Sequence, residues 1–128
     1  MSLLDHSIKY YLDQKKNCSV SMLLGANDYY NLNLGEEDYK LLVGFGGGIG
    51  CGYICGCLAG SVAVLGKMFS SREDFRPLCA KFVALFNAEL GSNNCADIMK
   101  TCFCKDRRCA VAVEKTAVLL ERYIEGIK

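Results

Sequence analysis

The segment LLVGFGGGIGCGYICGCLAGSVAVLG, residues 41–66, carries no charged residue and is long enough to cross a membrane as a helix. Nine of its 26 residues are glycine, seven of them within residues 44–56. Each glycine in a helix interior costs about 1 kcal/mol relative to alanine. We therefore expect no membrane span. The composition favours a glycine-rich loop followed by one buried central helix over residues 56–65, whose small residues suit close helix packing.

The flanking residues show helical periodicity, and no stretch has the sustained alternation of a half-buried strand. The clearest stripe has i, i+3, i+4 spacing and follows a capping-box pattern at Ser71–Asp74. Its members are Phe75, Leu78, Cys79, Phe82, Leu85 and Phe86. Further helices are expected over about residues 3–14, 17–30, 36–43 and 94–100, and from about Asp106 onward. The sequence predicts an all-α fold, a single domain over residues 1–128: a compact bundle of about five to six helices with the glycine-rich loop before the central helix.

Charge and the N-terminal sequence limit the classes of partner and location. Fifteen basic and fourteen acidic residues give a net charge of +1, which creates no field that would attract nucleic acid or a membrane surface. The first residues, MSLLDHSIKYYLDQKK, lack the basic and apolar regions of a secretory signal. We expect a cytoplasmic protein. Apolar surfaces on several short helices are compatible with a homodimer.

The nine cysteines are an odd number, so they cannot all pair within one chain. In a reducing compartment, clustered cysteines are more often metal ligands or redox thiols than structural disulfides. Two of them are the second residues of similar motifs, Asn17-Cys18-Ser-Val-Ser-Met and Asn94-Cys95-Ala-Asp-Ile-Met. In each motif asparagine is a good N-cap, and the cysteine would be the first helical residue.

Two further cysteines are expected at helix N-termini. Cys55 precedes the central helix, and Cys109 falls in the first turn of the last helix beside Arg107 and Arg108. Free backbone N–H groups at a helix N-terminus stabilise a thiolate or an anionic cluster. For any one of these residues, the alternative is that cysteine serves as a small buried apolar residue.

These motifs, in this order and at these intervals, resemble the redox-active family named for the pattern C_GCAxxG_C_C. The resemblance rests on Asn17-Cys18, the glycine run with Cys55-Gly-Cys-Leu-Ala-Gly60, Asn94-Cys95 and Cys109-Ala110, and it covers nearly the whole chain. It implies that Cys18, Cys55, Cys95 and Cys109 form the shared site. A similar module in split-Soret-type cytochromes is associated with an iron–sulfur centre.

The chain departs from the family pattern in its extra cysteines. Cys57 stands where the family usually has a small residue such as alanine. Four more cysteines have no place in the pattern, namely Cys51, Cys79, Cys102 and Cys104. Cys79 belongs to the apolar stripe and is expected in the core. The others leave open an enlarged or second metal site.

The leading hypothesis is an electron-transfer protein that binds an iron–sulfur cluster through Cys18, Cys55, Cys95 and Cys109, with the backbone at Gly47, Gly48 and Gly56 contributing to the cofactor site. It would exchange electrons with a redox partner protein. A four-cysteine zinc site uses the same ligands, although zinc sites usually contain closely spaced pairs such as Cys-x-x-Cys. A thiol–disulfide protein, with Cys55 attacking as a thiolate and a second cysteine such as Cys18 resolving, is another alternative. The last alternative is a helical interaction domain whose cysteines have no shared function.

Haem and dinucleotides are not indicated. There is no Cys-x-x-Cys-His motif, and the single histidine, His6, is expected at the surface. The G-x-G-x-x-G register fails, because Ile49 or Cys51 occupies the place of the third glycine.

Overall fold

The computed structural model describes residues 1–128 and confirms an all-α fold, with isolated backbone bridges and no strands. Its α-helices are α1 (Leu3–Ile8), α2 (Cys18–Tyr30), α3 (Glu36–Lys40), α4 (Gly56–Phe69), α5 (Phe75–Leu90), α6 (Cys95–Cys102) and α7 (Ala110–Ile127). A π-helical turn, Lys9–Asp13, continues α1. The structure has seven helices, more than the expected five to six, because the short segments α3 and α6 each form a separate helix.

At three helix boundaries, the structure confirms the predicted capping residue. The Asn17 side chain caps α2 by accepting a hydrogen bond from the Val20 N–H at 2.9 Å. The Asn94 side chain caps α6 in the same way, with the Asp97 N–H as donor at 3.2 Å. Gly91 ends α5 in the left-handed region, at φ +81°, where glycine has no steric penalty.

Other boundaries differ from prediction. The helix α4 continues through Gly66 to Phe69, since a glycine ends a helix only where the backbone turns left-handed. Ser71 forms no capping box, because Asp74 binds Arg72 in a salt bridge at 2.8 Å instead. The last helix begins at Ala110 rather than near Asp106, because residues 104 and 108 pair through two backbone hydrogen bonds.

The core lies between α2, α4, α5 and α7, with α1 packed on α2 and α7. Gly60 sits at the crossing of α4 and α2, where an added Cβ atom would lie 2.5 Å from the Ser19 carbonyl oxygen. This contact brings the N-termini of the two helices together. Two residues of the predicted α5 stripe are not in the core: Leu85 is exposed and Cys79 is half-buried, because α5 covers the bundle with a narrower face.

The glycine-rich segment before α4 is a loop, as predicted. Its backbone has positive φ at Gly47, Gly48, Gly50 and Gly52, and also at Ile49. The loop ends in an isolated bridge between Ile54 and Asn94, which ties it to the start of α6. No helix is both long and apolar enough to cross a membrane.

Candidate functional site

Cys18 is the first residue of α2, and the Asn17 side chain holds this end of the helix against the glycine-rich loop. The Asn17 amide donates a hydrogen bond to the Val43 carbonyl oxygen at 2.9 Å, while its oxygen atom caps α2. The loop passes so close that an added Cβ atom on Gly46 would lie 2.6 Å from this amide. Asn17 therefore connects the first cysteine to the loop that carries the next ones.

Cys55 is the N-cap of α4 and meets the start of α2. Its neighbour Gly56 contacts Cys18, since an added Cβ atom there would lie 2.3 Å from the Cys18 sulfur. The Cys55 side chain is only 4% exposed. The absence of a side chain at Gly56 is what allows the two helix N-termini to approach.

Cys57, in the first turn of α4, is fully enclosed and contacts both Cys18 and Cys55. Hydrogen bonding from the Cys57 thiol lowers the pKa of Cys18 to about 7, with backbone N–H groups at Gly47 and Ser19 adding to the effect. The same thiol lowers the pKa of Cys55. The pKa of Cys57 itself is raised well above its ordinary value, because it is the donor to both neighbours and is buried. Cys57 therefore stays a neutral donor between two thiols that favour the thiolate form.

Cys95 begins α6 and is joined to the Cys55 segment through the backbone. The Cys55 N–H donates to the Asn93 carbonyl oxygen at 2.8 Å, and the Cys95 N–H donates to that of Tyr53. Burial raises the pKa of Cys95, and the nearby thiolates of Cys55 and Cys18 raise it further. The bridge thus sets the relative positions of two predicted ligands.

Cys109 is the N-cap of α7, and Tyr11 anchors it from the other end of the chain. The Cys109 N–H donates a hydrogen bond to the Tyr11 hydroxyl oxygen at 2.9 Å. The guanidinium of Arg108 lies 4.1 Å from the centre of the Tyr11 ring and donates to the Tyr11 carbonyl oxygen. Burial raises the pKa of Cys109 to about 11, and Cys18, Cys95, Cys55 and Cys102 add to this electrostatically.

A cavity of about 220 Å³ lies between these elements, and three of the four family cysteines line it. Its walls are Tyr11, Asn17, Cys18, Gly47, Cys95, Met99, Phe103, Arg108 and Cys109. Cys55 is buried beside it, close enough to influence the pKa of both Cys95 and Cys109. The structure therefore brings Cys18, Cys55, Cys95 and Cys109 into one region.

The three glycines assigned to the cofactor site also lie there. Gly47 lines the cavity, and Gly56 contacts Cys18. An added Cβ atom on Gly48 would lie 2.6 Å from that of Cys95, so this glycine is required for close packing. Their role toward a cofactor stays a prediction.

The remaining cysteines are distributed differently. Cys102 is buried near Cys109, whereas Cys51 and Cys104 are exposed and line no part of the cavity. No three cysteine, histidine, aspartate or glutamate side chains lie close enough together to hold a single metal ion. The sulfur atoms stand around a cavity rather than converge on one point. Whether the cysteines hold a cofactor stays a prediction.

His6 was expected at the surface rather than as a ligand, and it lines no part of the cysteine cavity. Its side chain is partly buried, with 20% exposed; it lies 4.0 Å from Asp28, and its ring is tilted against that of Tyr29. The cause is the packing of α1 on α2, which covers one face of the short first helix.

Sequence reasoning missed Tyr11 and Arg108 as members of the site. Tyr11 lies 98 residues from Cys109 along the chain, and no local motif connects the two. The left-handed backbone of Arg108, at φ +53°, gives no signal in the sequence either.

The comparison with known proteins agrees with this geometry. The family model "Putative redox-active protein (C_GCAxxG_C_C)" matches residues 16–123, a span that contains all four signature cysteines. The chain belongs to this family. A relative from Archaeoglobus fulgidus, described as "Uncharacterized protein", is 34% identical over 102 residues, with 68% of each chain covered. No solved structure matches the chain.

The description of the C_GCAxxG_C_C family as redox-active agrees with a site built from cysteines. The family match begins at residue 16, so Tyr11 lies outside it and belongs to the site only through the fold.

Proposed function

We propose that this protein carries electrons on an iron–sulfur cluster bound by Cys18, Cys55, Cys95 and Cys109. The observation that carries the proposal is the cavity that three of these residues line, with the fourth buried beside it. Four thiolates per cluster is the usual ligand number, and the bound cluster would accept and release electrons.

The surroundings suit an anionic group. The first residues of α2 and α6, Cys18 and Cys95, and the N-cap of α7, Cys109, line the cavity, so the positive ends of three helix dipoles lie beside it. Arg108 adds a positive charge, and Gly47 supplies a backbone N–H beside Cys18. Such hydrogen bonds and charges stabilise thiolate ligands and set their electron-donating strength.

Solvent and partner access would be from one side. Met99 and Phe103 are about half-exposed, at 40% and 49%, and both line the cavity. This apolar rim is where a redox partner protein would make contact, because it is the exposed apolar part of the wall.

The test is purification without oxygen, followed by measurement of iron, acid-labile sulfide and visible absorption. We expect stoichiometric iron and sulfide with a broad band in the blue region. Replacement of Cys18, Cys55, Cys95 or Cys109 by alanine should abolish both. Cys51→Ala and Cys79→Ala are matched controls, since they remove thiols that do not line the cavity. Colourless, metal-free wild-type protein after anaerobic cluster reconstitution would contradict the proposal.

A second candidate function is thiol–disulfide exchange, and the contact of Cys57 with Cys18 and Cys55 favours it. The Cys18 thiolate would attack a partner disulfide and release one partner thiolate. The Cys55 thiolate would then attack the Cys18 sulfur, forming an internal disulfide and releasing the partner's second thiolate. Cys18 suits the attacking role better than Cys55, because it lines the cavity whereas Cys55 is buried. Mass spectrometry of metal-free protein treated with a disulfide would detect the mixed and internal disulfides.

A further inference from the structure

Tyr11 places an unused hydroxyl donor in the cysteine cavity. Its side chain is only 5% exposed and lines the cavity together with Cys18, Cys95 and Cys109. The hydroxyl oxygen accepts the Cys109 N–H at 2.9 Å, but its own hydrogen forms no hydrogen bond in this structure. A buried hydroxyl usually finds a partner for its hydrogen.

The possible acceptors around this hydrogen are few. Among the polar walls of the cavity, the Asn17 oxygen atom already receives hydrogen bonds from Val20 and Ser19. Arg108 can only donate. Among the side chains that line the cavity, the acceptors that remain are sulfur atoms, of which thiolates are the strongest.

Arg108 holds the tyrosine in this position. Its guanidinium stacks 4.1 Å from the centre of the ring and also donates to the Tyr11 carbonyl oxygen, so both the side chain and the backbone are restrained. The Cys109 N–H bond fixes the hydroxyl oxygen from the opposite side. The remaining freedom is rotation of the hydroxyl hydrogen within the cavity.

We propose that Tyr11 is a positioning residue of the cysteine site, whose hydroxyl fixes the Cys109 backbone and turns its free hydrogen to a cavity sulfur when that cysteine is a thiolate. With respect to the potential of a bound cluster, this rests on the proposed function. A hydrogen bond to a ligand sulfur stabilises the more negative, reduced state and therefore raises the reduction potential. The role belongs to a residue outside the part of the chain that matches the family.

The test compares Tyr11→Phe with Tyr10→Phe. Both variants remove one phenolic hydroxyl and keep the ring, but the Tyr10 hydroxyl donates to Asp28 at 2.7 Å and lies outside the cavity. In anaerobically prepared protein, spectroelectrochemical titration should show a more negative midpoint potential for Tyr11→Phe at unchanged iron content. Tyr10→Phe should match the wild type. A loss of iron or of thermal stability in Tyr11→Phe without a shift in potential would show that Tyr11 is only structural, and would overturn the proposal.

A second measurement does not depend on the cluster. In metal-free protein, Tyr11→Phe should increase hydrogen exchange at the Cys109 amide and slow alkylation of the cavity thiols at neutral pH, because the thiolate loses a donor. If the wild type binds no cluster but these changes occur, the proposed cluster fails and the role of Tyr11 stands. If neither exchange nor alkylation changes, the role of Tyr11 is wrong. If Tyr11→Phe fails to fold, Arg108→Gln is the second variant, because it keeps the Tyr11 hydroxyl but removes the guanidinium that stacks on the Tyr11 ring. An unchanged alkylation rate in Arg108→Gln would overturn the proposal.

Discussion

Replacement of Gly60 by alanine tests the helix crossing on which the cysteine site depends. Gly60 lies within α4, where an added Cβ atom would be 2.5 Å from the Ser19 carbonyl oxygen and 3.1 Å from the Met22 Cβ atom. The nearest obstacle is backbone, so no side-chain rotation can relieve it. The helices α2 and α4 must separate, and Ser19 follows Cys18 directly in α2.

Gly66→Ala in the same helix is the matched control. There the added Cβ atom would meet only the Phe75 ring, at 3.9 Å, which is ordinary contact. Alanine in place of a helical glycine contributes about 0.5–1 kcal/mol in both variants. Overpacking at Gly60 costs about 1–3 kcal/mol, and the upper end applies because the backbone cannot yield locally. We therefore expect Gly66→Ala to be slightly stabilised, and Gly60→Ala to lie about 1–3 kcal/mol below it in free energy of unfolding.

Urea titration and thermal unfolding followed by circular dichroism measure this difference. For a chain of this length, about 1 kcal/mol corresponds to a change of roughly 4 °C in Tm. Gly60→Ala should also lose iron or neutral-pH reactivity at Cys18, since separation of the helices displaces Cys18 from Gly56. Equal stability of the two variants, with an unchanged site, would refute the crossing at Gly60.

Three further predictions concern the site and the core. In metal-free protein, the rate of Cys18 alkylation should be half-maximal at about pH 7, because the Cys57 thiol lowers the pKa of Cys18. Cys57→Ala should move this midpoint to higher pH. An unchanged pH profile would contradict the hydrogen bond between Cys57 and Cys18. Asn17→Ala removes the cap on the Val20 N–H and should lower the free energy of unfolding, measured by urea titration, by about 1 kcal/mol. An unchanged free energy of unfolding would contradict the cap. Phe86→Ala should cost about 3–5 kcal/mol because Phe86 is fully buried, whereas Phe103→Ala, at an exposed site, should stay within about 0.5 kcal/mol of the wild type.

Local signals account for much of what was predictable about the fold. The asparagines before Cys18 and Cys95 are N-caps because their side chains satisfy free N–H groups of their own helices. The glycine-rich loop was predictable because its residues adopt positive φ at little cost. One error occurred where a short-range partner competed with the expected one: Asp74 bound Arg72 and left Ser71 without a capping box.

By itself, the sequence determined the fold class and the family, and it placed four cysteines at helix starts. Cys18 and Cys95 begin α2 and α6, and Cys55 and Cys109 are the N-caps of α4 and α7. These features were predictable because they depend on neighbouring residues and on a pattern shared with relatives. The tertiary structure alone decided how those cysteines are surrounded. Cys57 became a neutral donor between Cys18 and Cys55 because α2 and α4 meet through Gly56 and Gly60. Tyr11 reached Cys109 because α1 packs against α7. Such contacts join residues far apart in the chain, and they form only when burial of the apolar helix faces brings those helices together.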